Sequence, residues 1–434
     1  MPKPALRLLL LSGLAYALML SGLALLNGRL LILAIPLVVY LAASLLNAPH
    51  SPRLSVTRRL SDQRVSHGTP VTVTASITNE GTHLEEVFIE DTCSHPLDLL
   101  KGETRLFTSL APGATVELEY TLRAARGVYR FHDVGVIAGE PLGLAQRQTT
   151  LAAAARLIVL PDAPGLRRIA IRPRQTRVYS GLIPARRGGQ GVEFFGVRDY
   201  QPGDALRWID WNASARHPDA LFTTEFEQER VADVGLILDA RQRSHVRTAT
   251  TSLFESAVQA TAALAQLMLN DGNRVGLLVY GAFIDWTVPG YGKAQRERVL
   301  QSLARAELGD SLVFDNLDLL PARLFPPESQ LILISPLVKE DRPVLIRLRA
   351  RGYQLIVVSP DPIPLAVEKG GQRPAIALSA RIARAERTLL LRQLQQAGIR
   401  VVDWRIDTPI DQAIHRALRR ASIGFRGARA EWRR

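Results

Sequence analysis

Apolar residues are spaced differently in successive parts of the chain, and each spacing predicts its own kind of element. Two almost unbroken apolar runs come first, Leu8 to Leu26 and Leu30 to Leu46, separated by Asn27-Gly28-Arg29. Each approaches the about 20 residues that cross the hydrocarbon core of a bilayer, so a transmembrane helical hairpin is predicted over 1–48. A secretory signal peptide would explain the first run, but not a second one so close behind it. From Pro52 to Leu160 the period becomes two. Val71 to Thr78 alternates apolar with polar residues and breaks at Asn79-Glu80-Gly81. Leu84 to Glu90, Thr115 to Leu122 and Val134 to Ala138 repeat the theme, with Ala111-Pro112-Gly113 as a turn. Short strands at this spacing predict an all-β immunoglobulin-like sandwich over 52–160.

After Val231 apolar strands alternate with helical stretches. Val234 to Asp239 reads as a buried strand, and Leu253, Ala257, Ala260, Leu264 and Leu267 recur at helical spacing until Asp271-Gly272. Further strands are predicted at 274–280, 330–335, 354–359 and 400–403, with helices near 295–306, 343–351 and 381–397. Ile284 to Val288 follows Tyr280 too closely for a helical crossover, which predicts an antiparallel edge strand. The alternation gives a doubly wound α/β domain over 231–420, whose ligands would gather at the carboxyl ends of its strands. Residues 161–230 form a linker that carries a signature motif, and 421–434 a basic tail.

That motif is the densest mixture of charge and aromatic rings in the chain. Between Gly188 and Arg230, Asp199, Asp204 and Asp210 stand among Arg198, Arg207 and Arg216, interleaved with Phe194, Phe195, Tyr200, Trp208 and Trp211. Pro202-Gly203-Asp204 marks a tight turn. The positions Arg198, Asp199, Tyr200, Pro202, Gly203, Asp204, Arg207, Ile209, Asp210, Trp211, Ser214, Ala215 and Arg216 resemble the signature of a prokaryotic family labelled domain of unknown function 58. Arg126-Gly127-Val-Tyr-Arg130 and Glu140-Pro-Leu-Gly143 extend the resemblance upstream. It implies a membrane hairpin, a β-rich module, the motif and a von Willebrand A-like domain. It also implies a MoxR-type AAA+ ATPase as partner and a role in assembling or remodelling other proteins, with no established reaction. Two readings of the motif stay open. In one it is an interdomain lock, with Trp208 and Trp211 packed on the α/β domain and Asp204, Arg207, Asp210 and Arg216 bridging it. In the other it is a docking surface, because Trp, Tyr and Arg dominate binding hot spots.

Charge places the body. Lys3 and Arg7 precede the first apolar run, and Arg53, Arg58, Arg59 and Arg64 follow the second, while Arg29 alone lies between them. Positive-inside asymmetry predicts both ends in the cytoplasm, at the inner membrane of the cell. A single cysteine, Cys93, excludes an intrachain disulfide and suits a reducing compartment. The net charge of +13 is spread along the chain, and its five lysines are outnumbered by arginines. No nucleic-acid motif accompanies it, so anionic lipid is the expected counterpart rather than nucleic acid. The tail, with Arg419, Arg420, Arg426, Arg429, Arg433, Arg434 and Trp432, is expected to be solvated.

Catalytic chemistry is not legible. Cys93 and His95 lie two apart without a third partner, and the eight histidines form no ligand cluster. Gly188-Gly189-Gln190-Gly191 lacks the Lys-Ser/Thr of a phosphate loop and reads as a flexible turn. Glu225, Glu227 and Glu229 alternate as on the solvated face of a strand. Von Willebrand A-like domains often hold a divalent cation through D-x-S-x-S; here the loop reads Asp239-Ala-Arg241-Gln-Arg243-Ser244. Asp239 remains, two arginines replace the serines, and Pro336-Leu337 stand where an acid is common. Ser311 is a doubtful stand-in for the usual Thr, with Asp310 and Asp315 as further acids. The expectation is no metal and no cofactor, with Asp239 paired to a nearby arginine and Ser244 capping a helix. The chain is accordingly read as a non-enzymatic adaptor; the rival is a metal-dependent ligand-binding module.

Overall fold

The computed structural model describes residues 4–46, 52–94, 98–139, 144, 146–166, 177–217, 220–248, 251–311, 317–327, 329–371 and 373–417. His95, Asp315 and the basic tail fall outside this set. The chain divides into two compact units, Met1–Leu160 and Pro161–Arg434.

The first unit opens with two apolar helices, α1 (Pro4–Ala24) and α2 (Gly28–Leu46), each long enough to cross a membrane. Gly22 brings them close: a Cβ there would lie 2.8 Å from Leu31 Cδ2, the close approach that small residues permit between apolar helices. Ten strands follow, β1 (Leu54–Leu60), β2 (Arg64–Ser66), β3 (Pro70–Asn79), β4 (Leu84–Cys93), β5 (Asp98–Gly102), β6 (Arg105–Leu110), β7 (Thr115–Arg123), β8 (Gly127–Gly139), β9 (Gln146–Leu151) and β10 (Ala155–Leu160). They form one sheet in the order β1-β3-β7-β5 and a second in the order β2-β10-β8-β4-β6, with β9 also on β8. Alternation decides which faces meet: Val71, Val73, Ala75 and Ile77 of β3 are buried, as are Val87 and Ile89 of β4. Pairing is antiparallel except between β2 and β10.

Arg58 and Asp91 bolt the two sheets together. Arg58 of β1 donates from Nε to Asp91 Oδ2 of β4 at 3.2 Å and from Nη2 to Asp91 Oδ1, and Tyr120 of β7 donates to Asp91 Oδ2 at 2.9 Å. Its remaining nitrogen donates to the carbonyls of His132 (2.8 Å) and Ala153. Both charged side chains are almost completely buried. A buried pair is tolerable because every hydrogen-bonding edge is used. Burial, before the nearby carboxylate, raises the Tyr120 hydroxyl pKa well above its ordinary value.

The second unit begins with β11 (Arg177–Asp199), paired antiparallel with β12 (Phe222–Val231). Gly188 to Gly191 therefore lie within a strand, not in the expected turn. Register shifts on either side of Gly188-Gly189 show where residues without side chains absorb irregular pairing. Between the two strands sits the four-residue helix α3 (Trp211–Ser214). Six strands then make the main sheet: β13 (Asp233–Asp239), β14 (Arg274–Tyr280), β15 (Ile284–Gly290), β16 (Gln330–Ile334), β17 (Gln354–Pro360) and β18 (Arg400–Trp404). Its order is β15-β14-β13-β16-β17-β18, parallel except for β15, which pairs antiparallel with β14 as its short connection requires.

Helices α4 (Leu253–Asn270), α5 (Gly292–Arg305), α6 (Asp341–Ala350), α7 (Ile363–Gly370) and α8 (Pro374–Gln396) supply the crossovers and the last connection. Ser252, not Ser244, caps α4, accepting from the Glu255 amide. On β13, Gly235 admits the Phe325 ring, since a Cβ there would lie 2.5 Å from two ring carbons.

Candidate functional site

Two clusters in the second unit carry the charged and aromatic residues singled out by the sequence. The first is the signature block. Asp204 closes the Pro202-Gly203 turn, its Oδ2 accepting from the Gln201 amide at 2.9 Å while Gly203 takes a positive φ of 110°. Arg198, at the end of β11, grips the same carboxylate with a two-pronged contact of 2.8 and 2.7 Å and also lies 3.6 Å from Glu225. Hydrogen bonds from Arg198, then from the Gln201 amide, hold the Asp204 carboxyl below its ordinary range. Glu225 is half-buried against Arg198 rather than on a solvated face.

Asp210 does not bridge to arginine. It caps α3, accepting from the Ala213 amide at 3.0 Å, and its own amide donates to Phe222 O. Ser214 is buried and accepts from the Phe222 amide at 2.9 Å, Thr223 donates to Trp208 O, and the Tyr200 amide donates to Leu221 O. Ile209 is buried beside Thr223. Half of the signature thus builds a small framework on β11 and β12.

The other half faces water. Trp211 is 67% exposed and Leu206 70%, and Arg207 and Arg216 are exposed as well, with the Arg207 guanidinium 5.3 Å from the half-buried Trp208 ring. Phe194, Val197 and Leu221 add further exposed apolar side chains from the flanking strands. Trp211 packed into a domain core, as a lock demands, is corrected by this exposure: as the first residue of a capped helical turn it is carried outward.

The second cluster lies at the carboxyl edge of the sheet. Chain order reverses between β13 and β16, the place where open α/β sheets leave a crevice for ligands. Asp239 ends β13, Ser335 follows β16, and Asp341 opens α6. Arg241 fills the space between them and is 2% exposed. Its Nε and Nη2 donate to Asp239 Oδ1 and Oδ2 at 2.9 and 2.8 Å; its Nη1 and Nη2 donate to Asp341 Oδ1 and Oδ2, both at 2.9 Å. Ser335 Oγ donates to Asp239 Oδ2 at 2.7 Å, and the Val338 amide to Asp341 Oδ2 at 3.0 Å. Leu337, beside them, holds a φ of 62°, a left-handed conformation costly for a branched side chain; its amide donates to Ser335 Oγ. The 309–311 loop lies alongside through a bridge between Arg241 and Gly309, with Asp310 exposed and Ser311 half-buried.

Burial alone would raise the Asp239 carboxyl, but the Arg241 contacts outweigh it and hold the group below the usual range. For Asp341 burial wins over the same guanidinium and the pKa rises. Burial would lower Arg241, yet two carboxylates keep it firmly charged. His245, whose Nε2 lies 2.7 Å from Asp239 O, is pushed down by burial, and its Nδ1 is buried without a hydrogen bond. Burial also pushes the nearby Tyr280 up to about 12.

One crevice further along, Arg387 of α8 closes the ends of β16, β17 and β18. It donates to Pro336 O (3.0 Å), Ser359 O (2.9 Å) and Asp403 Oδ1 (2.8 Å). The donors that surround Arg241 do not fit a divalent ion as they stand, because a guanidinium occupies their common centre. The expected pairing of Asp239 with an arginine is present. Asp341 was not foreseen: the acid sought at Pro336-Leu337 comes from a few residues later, in what reads as an ordinary acidic helix start.

Residues 196–359 match the family described as "Protein of unknown function DUF58". Uncharacterized protein YeaD of Bacillus subtilis (strain 168) is 30% identical over 168 residues, covering 38% of this chain and 40% of that protein. Uncharacterized protein Rv1480 of Mycobacterium tuberculosis (strain ATCC 25618 / H37Rv) is 32% identical over 129 residues, 29% of this chain and 38% of that protein. The matched stretch thus spans about 40% of the relatives' length. The CARDB domain of the PF1109 protein from Pyrococcus furiosus aligns at 15% identity over 26% of this chain and 92% of that one, with a TM-score of 0.20. A likeness that faint carries no functional weight.

Proposed function

Over residues 196–359 the chain belongs to the DUF58 family, and on that premise we propose that it is a membrane-tethered adaptor. Its α1–α2 hairpin anchors it with the soluble parts facing the cytoplasm, an immunoglobulin-like sandwich spaces the body, and a von Willebrand A-like domain with its signature block recruits partners. The partner we propose is a MoxR-type AAA+ ATPase together with that enzyme's clients.

The observation that supports this best is the division of labour inside the signature block. Arg198, Asp204, Asp210 and Ser214 brace a rigid edge, while Trp211, Leu206, Arg207 and Arg216 stand exposed on it. Exposed Trp and Arg on a pre-organised framework are the ingredients of a hot spot. The strand order, with an antiparallel edge strand on a parallel sheet, supports the von Willebrand A-like reading. The metal-dependent alternative is disfavoured by Arg241, which takes up both oxygens of Asp239.

In-cell crosslinking of the tagged full-length chain, detergent extraction and mass spectrometry test the proposal. Enrichment of an AAA+ ATPase is expected. An Asp204→Ala variant that remains folded should recover less of it. Preparations that contain no such ATPase at any crosslinker dose would remove the adaptor reading.

A further inference from the structure

Two connections, the one after β13 and the one between β16 and α6, bring hard oxygen donors together. Arg241 Nη2 lies 2.8 Å from Asp239 Oδ2 and 2.9 Å from Asp341 Oδ2, and Ser335 Oγ lies 2.7 Å from that same Asp239 oxygen. Two carboxylates bracket one positive group and a hydroxyl joins one of them from behind, and carboxylate and hydroxyl oxygens are the donors that a divalent cation such as Ca²⁺ or Mg²⁺ takes. Here the positive atom belongs to the chain, and the cluster sits at the reversal point of the strand order, where a sheet of this kind would otherwise be open.

We propose that the Arg241 guanidinium is a built-in replacement for a divalent cation, and that the cage around it is a latent cation site which the wild-type chain fills from within. The charge bookkeeping agrees. Asp239 and Asp341 face each other across a nearly water-free space, and without a cation between them neither would remain ionised cheaply.

Two properties follow for the wild-type protein. Its α/β unit needs no added metal, and this edge is closed to any partner carboxylate that would bridge through a metal. Recognition by this unit then falls to surfaces elsewhere, which is consistent with the exposed signature block but does not depend on it.

The cage also has a size. Its N–O separations of 2.8–2.9 Å exceed Ca–O distances of about 2.3–2.6 Å by a few tenths of an ångström, and Mg–O distances of about 2.0–2.1 Å by more. Ca²⁺ tolerates irregular geometry, whereas Mg²⁺ demands a near-ideal octahedron. Removing the guanidinium should therefore create a site that prefers Ca²⁺ over Mg²⁺.

The test is thermal unfolding of the detergent-solubilised full chain in EDTA, in Mg²⁺ and in Ca²⁺, for wild type, Arg241→Ala and Arg241→Ala/Asp341→Asn. Wild type should unfold at one temperature in all three media. Arg241→Ala should unfold lower in EDTA, and saturating Ca²⁺ should raise it by about 5–10 °C, with Mg²⁺ less effective. The double variant should lose that response. If Arg241→Ala does not fold in EDTA, refolding is attempted in Ca²⁺: recovery supports the proposal and failure overturns it. A folded Arg241→Ala indifferent to Ca²⁺, or a wild type that EDTA destabilises, overturns it as well.

Discussion

Asp91 and Asp239 are both buried carboxylates, one in each unit, and each is matched by an arginine whose remaining nitrogens are also satisfied. Removing one member leaves the other charged and unmatched, which costs about 3–5 kcal/mol. Asp91→Ala is therefore expected to destabilise the β unit by that amount in urea titrations. Tyr120→Phe, which removes one hydrogen bond to the same carboxylate, should cost about 1–3 kcal/mol. His245 gives the α/β unit a pH dependence with a definite sign. Its folded pKa is lowered, so the unfolded chain takes up a proton first as pH falls. The stability this group confers is complete above its ordinary value of about 6.5 and declines below it. Relative to His245→Gln, the wild-type protein should lose stability as pH falls below about 6.5; parallel curves would contradict this. Asp341, whose raised pKa acts in the opposite sense, is common to both proteins and cancels from the comparison. At this scale the sequence was half legible. Asp239 with two arginines in its own loop announces a local ion pair. Asp341 lies 100 positions from Arg241, and nothing near it marks it as that arginine's second counter-charge. Arg58 and Asp91 were equally silent, because period-two alternation marks a buried position without telling what it meets.

Elements were easier to read than contacts. Strands β3, β7, β13, β14, β16 and β17, and helix α4, fall within a residue or two of where periodicity places them, because each buries one well-defined face. Helix α8 runs further toward its amino end than expected, from Pro374, since its early turns carry exposed Leu378 and Ile382 that break the amphipathic pattern. The pairing of β11 with β12 was not foreseen: a glycine-rich, charged stretch has neither the alternation nor the β-branched residues that announce a strand. Arg387 supplies polar ties from α8 to the strand ends, beside the apolar packing of Leu391 and Leu394. Arg387→Ala would leave the Pro336 and Ser359 carbonyls and the Asp403 carboxylate without this donor. Amide hydrogen exchange should then accelerate in β17, β18 and α8 while β13 and β14 stay protected. Uniform acceleration across the sheet would show that the arginine supports the whole unit rather than one edge.

At the scale of the whole molecule, two apolar helices, a two-sheet β unit and an α/β unit combine in a chain of net charge +13. The edge where an α/β sheet would take a ligand is filled by Arg241 and Arg387, and the exposed rings of the signature block lie elsewhere in the chain. The proposed adaptor role agrees with this arrangement, in which the exposed rings rather than the sheet edge are left to meet a partner. Attachment through α1 and α2, as proposed, would raise the local concentration of anything else held at the same surface, so that even modest contacts at the signature block would be effective. Trp211 carries most of this argument. Because it is 67% exposed, Trp211→Ala should change stability by less than about 0.5 kcal/mol, the usual limit for a surface site. Loss of a hot-spot tryptophan should nevertheless weaken capture of the ATPase by about 30-fold, equivalent to about 2 kcal/mol. The decisive measurement is therefore recovery of the AAA+ ATPase with full-length Trp211→Ala and with wild type, each taken with its unfolding temperature. A matched unfolding temperature with lost recovery is the result expected of a docking surface; undiminished recovery, or a variant that unfolds many degrees lower, would contradict it.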